Sequence, residues 1–296
     1  MLDPRALLTF HRVCEEGTIS AAARALNIAQ PSVSSAIAAL EARLGVQLFA
    51  RSRSGIVLTP EGEALRLRAS LLYHVLRDAE AEVAGLRDGI EGPLHVGGTP
   101  GALVSLLPPA LHALEADGRG LAVNVVERPD GALNRMLLAG EIELAFVTTE
   151  IEEPPAGLIE TTFSRDPFTL VVGHAHDALP DRMSLHDAAG MAWVLPEAQG
   201  AFRRQVDALF IASGLPAPRD VVRCDSLLTT KAIVRDGRRV TILPRQVASA
   251  ELSIGVLRAI ALTEAGFSRS VGIRRAEGRG LTPMALRLLE SLALFP

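Results

Sequence analysis

Over the first sixty residues, apolar positions recur at helical spacing in three short bursts. Leu7, Leu8, Phe10, His11 and Val13 mark a first amphipathic helix, and Gly17 ends it. The stretch "TISAAARALN" predicts a short helix from Ala21 to Leu26, with Ser20 as N-cap and Asn27 near its close. A third helix starts at Gln30-Pro31, since proline is tolerated in a first turn where its missing N–H has no partner anyway. There Val33, Ile37, Leu40 and Leu44 fall within about 60° of one another at 100° per residue, so this stripe is expected to face a core. Opposite lie Pro31, Ser35, Ala38 and Ala42, with Ser32 and Ala39 on one shoulder. Helix, tight turn, helix over about residues 18–37 is helix-turn-helix spacing.

The outer face of the third helix has neither charge nor bulk, whereas a solvated face normally carries Lys, Glu or Arg. Small side chains let a helix sink into the DNA major groove, where Ser and Gln reach base edges or phosphates and Ala meets a thymine methyl. Its free N-terminal N–H groups also suit a phosphate. Packing of small residues on a neighbouring helix would produce the same face. The next segment of the chain favours the groove. Leu48-Phe49 and Arg51-Ser52-Arg53-Ser54-Gly55, then Ile56-Val57-Leu58-Thr59, read as a short hairpin with Gly near its tip, a wing that puts Arg51 and Arg53 beside the DNA backbone. The candidate DNA-binding residues are therefore Thr18, Gln30, Pro31, Ser32, Ser34, Ser35, Arg51 and Arg53.

Thr59-Pro60-Glu61-Gly62-Glu63 is a helix start, with an N-cap, a first-position proline and early acids. Beyond it, apolar residues at 65, 72, 76, 79, 83, 86 and 90 settle from Leu72 into alternating steps of four and three, the average spacing of a coiled-coil seam. A long helix lying on its own domain would also fit. The sustained seam between two domains favours dimerisation, and a dimer would read a two-fold related site.

Glu91-Gly92-Pro93 is expected to break this helix and form a hinge. Strands are then expected at 94–98, 121–127 and 142–147, with helices from Ala102 to Ala116 and from Asp130, as N-cap, to Ala139. That order implies an open parallel sheet, whose ligands bind at the carboxyl ends of the strands. Further strands at 168–173, 192–196, 221–225 and 240–244 alternate with helices at 200–213 and 226–236, a second α/β subdomain. The strand at 270–275 and the helix from Pro283 to Leu294 are expected to return to the first. The cleft between them should be lined by Thr99 to Gly101, Arg128 to Asp130, Thr148 and Thr149, and Gly200 to Arg203, and helix starts there favour an anion.

Composition narrows the class. The net charge of −4 argues against non-specific coating of nucleic acid, but the first 68 residues carry eight Arg against six acids. A mildly basic head on an acidic body is compatible with DNA binding. No apolar run reaches membrane-spanning length, the N-terminus has no signal-peptide pattern, and the two cysteines stand far apart; a soluble cytoplasmic protein is expected. "VGGTPG" lacks dinucleotide-fingerprint spacing, and Walker, Gly-x-Ser-x-Gly and His-Glu-x-x-His patterns are absent. His174, His176 and His186 have no further ligand at metal spacing, so no metal, cofactor or catalytic residue is expected.

"AAARALNIAQPSVSSAIAALEARLGVQLFARSRSGIVLTPEG" resembles the N-terminal signature of LysR-type transcriptional regulators. The matching positions include Ala21-Ala22, Gln30-Pro31, Val33-Ser34, Leu40-Glu41, Leu48-Phe49, Arg51 and Leu58-Thr59-Pro60-Glu61-Gly62. Two positions depart from the pattern: Ala29 stands where that family usually has Ser or Thr, and Ser35 where it often has Arg. Residues 91–296 resemble the family's effector domain of type-2 periplasmic-binding-protein fold, with Arg238-Arg239 where small residues are usual and His176 where a loop His is common. The resemblance implies a winged helix-turn-helix over 1–59, a linker and dimerisation helix over 60–90, and an effector domain over 91–296. Within that domain, subdomain I takes about 91–163 and 264–296, and subdomain II about 164–263. It further implies a bacterial regulator that acts as a homodimer or homotetramer on double-stranded DNA of two-fold character, with contact to RNA polymerase open. Its effector site would use Thr99, Pro100, Gly101, Thr148, Gly200, Ala201 and Arg203, with Thr99 and Thr148 hydrogen-bonding and Arg203 meeting a carboxylate. Two other classes stay open: a ligand-binding protein whose N-terminal helices only mediate assembly, and an enzyme on a binding-protein fold.

Overall fold

A computed structural model describes residues 1–52, 55–116, 118–197, 200–264 and 267–293. Its contacts divide the chain into two units. One comprises Met1–His95 with Arg119–Val123 and Arg135–Glu143, and the other comprises Val96–Gly118, Asn124–Asn134 and Leu144–Pro296.

The first unit begins with three helices, α1 (Pro4–Glu16), α2 (Ile19–Ala25) and α3 (Gln30–Leu44). Asp3 caps α1 through the amide of Arg5, and Gly17 ends it in the left-handed region that favours glycine. Thr18, not Ser20, caps α2: its backbone is extended and its Oγ1 accepts from the Ala21 amide at 3.1 Å, which draws Ser20 into the helix. Ala29 occupies the N-cap of α3 and makes no side-chain capping bond. Val33, Ile37 and Leu40 join Phe10, Val13, Ala22 and Leu48 in one core. Leu44 does not belong to that stripe: it is exposed, because it closes the helix just before Gly45 turns the chain away.

The wing is the antiparallel pair β1 (Phe49–Ser52) and β2 (Gly55–Leu58), in register from Phe49↔Leu58 to Ser52↔Gly55. It leads into α4 (Pro60–Arg87), 28 residues long and roughly 42 Å from end to end at 1.5 Å per residue. Thr59 secures that start twice, accepting from the Gly62 amide and donating to the Gln47 carbonyl. Val75, Leu76, Val83 and Leu86 on α4 are exposed. The helix stops before its expected end. Gly89, at φ +70°, reverses the chain, so Ile90 and the expected hinge at 91–93 lie inside strand β3 (Ile90–Gly98).

The remaining elements are α5 (Pro100–Glu115), β4 (Gly120–Glu127), α6 (Asp130–Ala139), β5 (Leu144–Thr148), β6 (Leu158–Val172), β7 (Arg182–Met183), α7 (Leu185–Ala188), β8 (Ala192–Leu195), α8 (Ala201–Ala212), β9 (Val221–Arg223), α9 (Leu227–Asp236), β10 (Arg239–Pro244), α10 (Ser249–Ser253), β11 (Arg258–Leu262), β12 (Ser268–Ala276) and α11 (Pro283–Ala293). The main strand order is β4-β3-β5-β12-β6-β10-β8-β9. Its parallel parts, β3 with β5 and β10 with β8 and β9, match the expected α/β halves. The sheet as a whole is mixed rather than parallel, because β12 runs antiparallel to β5 and β6, and β6 antiparallel to β10. β6 is more than twice as long as the expected strand: it pairs with β12 over 158–167 and with β10 and β11 over 168–172. α11 packs on α5. The second subdomain has its own core around Trp193, Leu170, Leu185, Leu209 and Ile242.

Candidate functional sites

The head presents one continuous exposed surface at the start of α3. Gln30, Pro31, Ser32, Ser35, Ala38, Ala39 and Ala42 are exposed and Ser34 is half-buried, so the small-residue face is bare rather than packed within the head. Thr18 is exposed too, with its hydroxyl oxygen accepting from Ala21. Arg51 pairs with Ile56 in the wing, but its side chain and the whole of Arg53 lie outside the described residues. Periodicity and motif did not disclose how the wing is fixed to α3. Glu41 Oε1 accepts from the amides of Leu48 at 2.7 Å and Phe49 at 3.4 Å. Gly62 lies so close to the Leu48 carbonyl and the Leu58 side chain that a Cβ would overlap both. The motif positions Glu41, Thr59 and Gly62 carried the only signal of this joint.

Within the second unit, a cavity of about 600 Å³ opens between the two α/β subdomains. Thr99, Pro100, Gly101, Thr148, Gly200, Ala201 and Arg203 all line it, as do Arg128, Pro129 and Asp130. Thr149 does not; it is buried and its hydroxyl pairs with that of Thr162 at 2.8 Å. The starts of α5 and α8 both reach the wall without a side-chain cap, at Thr99 and Gly200. Uncapped helix starts carry partial positive charge and free N–H donors. Arg203 is tied down by protein groups: Nε donates to Asp207, and Nη1 to the carbonyls of Pro196 and Glu197. Arg239 is also structural, bonding the Trp193 carbonyl and pairing with Asp220 at 2.9 Å, while the Arg238 carbonyl bonds His176.

Two charged groups on the wall stand apart from the rest. Arg269, on β12, is only 3% exposed, and its Nη2 donates to the Gly101 carbonyl at 3.1 Å and to Ser105 Oγ at 3.0 Å. Its Nε is buried with no hydrogen-bond partner, and among the described residues no carboxylate lies within 4 Å of the guanidinium. Burial pushes its pKa down to about 10, against the charge of Asp166, whose carboxylate accepts from the Gln246 amide; Arg269 remains a cation at neutral pH. The second group is Asp130. It is the first residue of α6 rather than its cap: the Pro129 carbonyl accepts from Ala132 and Leu133, and Asp130 Oδ1 accepts nothing. Arg274 Nη1 stands 3.7 Å from that oxygen, drawn instead to Asn134 at 2.8 Å, while Nε and Nη2 hold Glu160. Burial raises the Asp130 pKa, and Arg274 and Arg204 only partly oppose it. Arg269 had no signal in the sequence: it stands between Ser268 and Ser270 at the start of β12, just before the strand expected at 270–275.

Comparisons with known proteins meet this geometry at both ends of the chain. A family model described as bacterial regulatory helix-turn-helix protein, lysR family, matches residues 4–63, and one described as LysR substrate binding domain matches residues 87–294. The HTH-type transcriptional regulator GalR of Pseudomonas putida is 25% identical over 290 residues, covering 98% of this chain and 73% of its own. A probable hydrogen peroxide-inducible genes activator of Mycobacterium leprae is 31% identical over 246 residues, 83% of this chain and 78% of that protein. Full-length OxyR from Pseudomonas aeruginosa shares the fold at a TM-score of 0.73, with 21% identity over 99% of this chain and 95% of that one. Full-length CbnR complexed with its target DNA does so at a TM-score of 0.69, with 22% identity over 98% of both chains.

Proposed function

This chain belongs to the LysR-type DNA-binding transcriptional regulators, and from that premise we propose that a small organic anion held in the cavity controls its activity. The observation that carries the reading is Arg269: a buried guanidinium with an unpartnered Nε and no carboxylate in ion-pair range, on the wall of a ligand-sized cavity. Asp166 only partly offsets the burial of that cation, and an anionic ligand relieves the remaining cost. Uncapped helix starts at Thr99 and Gly200 add N–H donors, Thr148 adds a hydroxyl, and Pro100, Gly101, Ala201 and Arg203 shape the wall.

On the head, the bare start of α3 fits the major groove, with Gln30, Ser32 and Ser35 toward base edges. Pro31 lets α3 begin close to the duplex, Ser34 and Thr18 border it, and Arg51 in β1 and its sequence neighbour Arg53 serve the backbone. Exposed Val75, Leu76, Val83 and Leu86 on α4 support a homodimer through this helix, and hence an operator of two-fold character. An effector that prefers one arrangement of the two subdomains shifts the population of regulator states, and with it the way paired heads engage DNA.

The test is calorimetry with a panel of small organic acids on the full chain, beside an Arg269→Gln variant. Saturable binding to the wild type, weakened at least about tenfold in the variant, supports the reading. Binding of equal strength in both proteins would remove Arg269 from the site.

A further inference from the structure

Arg269 is one of the two charged groups that stand apart on the cavity wall. The other, Asp130, has a buried carboxylate oxygen that accepts no hydrogen bond and stands 3.7 Å from an arginine whose three nitrogens donate elsewhere. Asp130 does not complete the Arg274–Glu160 ion pair, which at 2.7 Å is satisfied without it. Nor does it cap α6. A carboxylate lining a cavity that must also receive an anion would repel it, unless the ligand brings a donor of its own to that oxygen. An unsatisfied buried acceptor and an unsatisfied buried donor on one wall define a ligand with the opposite groups.

We propose that the ligand is bifunctional: a carboxylate held by Arg269 and the uncapped helix starts, joined to an ammonium or hydroxyl group that donates to Asp130. The assignment rests on the cavity being the effector site, and it narrows the effector class from organic anions to amino- or hydroxy-carboxylates. Asp130 is the specificity-determining residue. A plain carboxylate leaves Asp130 Oδ1 unmet and faces its charge. An amino-carboxylate meets both groups and enters as a net-neutral zwitterion. The remaining charges near Asp130 do not replace that donor: Arg204 is directed to Glu152 at 3.2 Å, and Arg274 to Glu160 and Asn134.

Calorimetric titration of the full chain with matched probes tests this directly. The probes are propionate, lactate and alanine, then butyrate against 4-aminobutyrate, and hexanoate against 6-aminohexanoate. At least one amino or hydroxy member should bind about tenfold or more tightly than its unsubstituted partner. Asp130→Ala should erase that preference while leaving the plain carboxylate bound as tightly or more tightly, with circular dichroism showing an intact fold; Asp130→Leu serves if Ala perturbs it. The ammonium arm and the hydroxyl arm show which donor the site takes. If plain carboxylates bind as well as their substituted partners, the inference falls and the anion site stands. A preference that survives loss of the Asp130 carboxylate also removes it. If no carboxylate of either kind binds, the anion-site reading fails and takes this inference with it.

Discussion

Glu41 Oε1 accepts a hydrogen bond from the backbone amide of Leu48 at 2.7 Å, and this contact fastens the end of α3 to the start of the wing. Leu48 is buried in the head core, so its amide has no solvent to fall back on. A carboxylate accepting from a part-buried amide is stronger than a neutral pair. Glu41→Ala should therefore destabilise the head by about 1–2 kcal/mol, read as a lower urea midpoint, and should loosen DNA binding through wing displacement. An unchanged midpoint would show the contact to be dispensable.

Gly62 makes a sharper case. Any side chain there meets the Leu48 carbonyl, which is backbone and cannot swing aside. Gly62→Ala should cost about 1–3 kcal/mol by overpacking, although alanine is the better helix former. Thermal unfolding checks it, and a stabilised variant would contradict the packing described.

Replacing Arg269 should separate stability from function. Arg269→Met removes a buried cation whose charge helps to offset that of buried Asp166, so the unliganded protein should lose about 1–3 kcal/mol while staying folded. The same variant should lose anion binding. Unchanged stability would mean that neither Asp166 nor the bonds to Gly101 and Ser105 depend on the guanidinium.

Three histidines make the first unit sensitive to acid. His11 and His74 each have a buried, unpartnered Nδ1 and flank the Tyr73 ring, and His95 bonds Arg77 and Asp78. Burial lowers all three pKa values, that of His74 to about 4 from 6.5. A base with a depressed folded pKa takes up its proton more readily when unfolded. Stability should hold above pH 6.5 and fall as the pH drops toward 4. After allowance for solvent screening, His74 contributes about 1–2 kcal/mol of that loss. His74→Gln should flatten the acid limb of a plot of melting temperature against pH; an unaltered limb would place the titration elsewhere.

Exposed Val83 and Leu86 on α4 give the dimer its own test. Changing both to Ser should shift the sedimentation of the full chain toward monomer while leaving its helix content intact. An unmoved sedimentation coefficient would place the interface off α4.

How much of this was legible depended on how local the cause was. Helix periodicity and the Gln30-Pro31 start gave α3, and Thr59-Pro60 gave α4, because propensity and capping act within a few residues. The capping of α2 was misassigned by two residues, since "TIS" offers two hydroxyls and only backbone conformation selects Thr18. The length of β6 and the mixed sheet were hidden, because the partner β12 lies more than a hundred residues away. At the cavity, the glycine- and proline-rich helix starts were visible in sequence, as turn residues are. Arg269 was not, since a charge within a strand discloses nothing about burial until the strand is placed.

Control of a DNA reader through its cavity is best tested by fluorescence anisotropy. The full chain is titrated onto DNA from upstream of its own gene at several salt concentrations, with and without the tightest carboxylate found by calorimetry. We expect a linear fall of log affinity with log salt, affinity lowered by about 1–3 kcal/mol in Gln30→Ala, and a ligand-dependent change that Arg269→Gln abolishes. Equal affinity for unrelated DNA, with no response to Gln30→Ala or to the ligand, would contradict it.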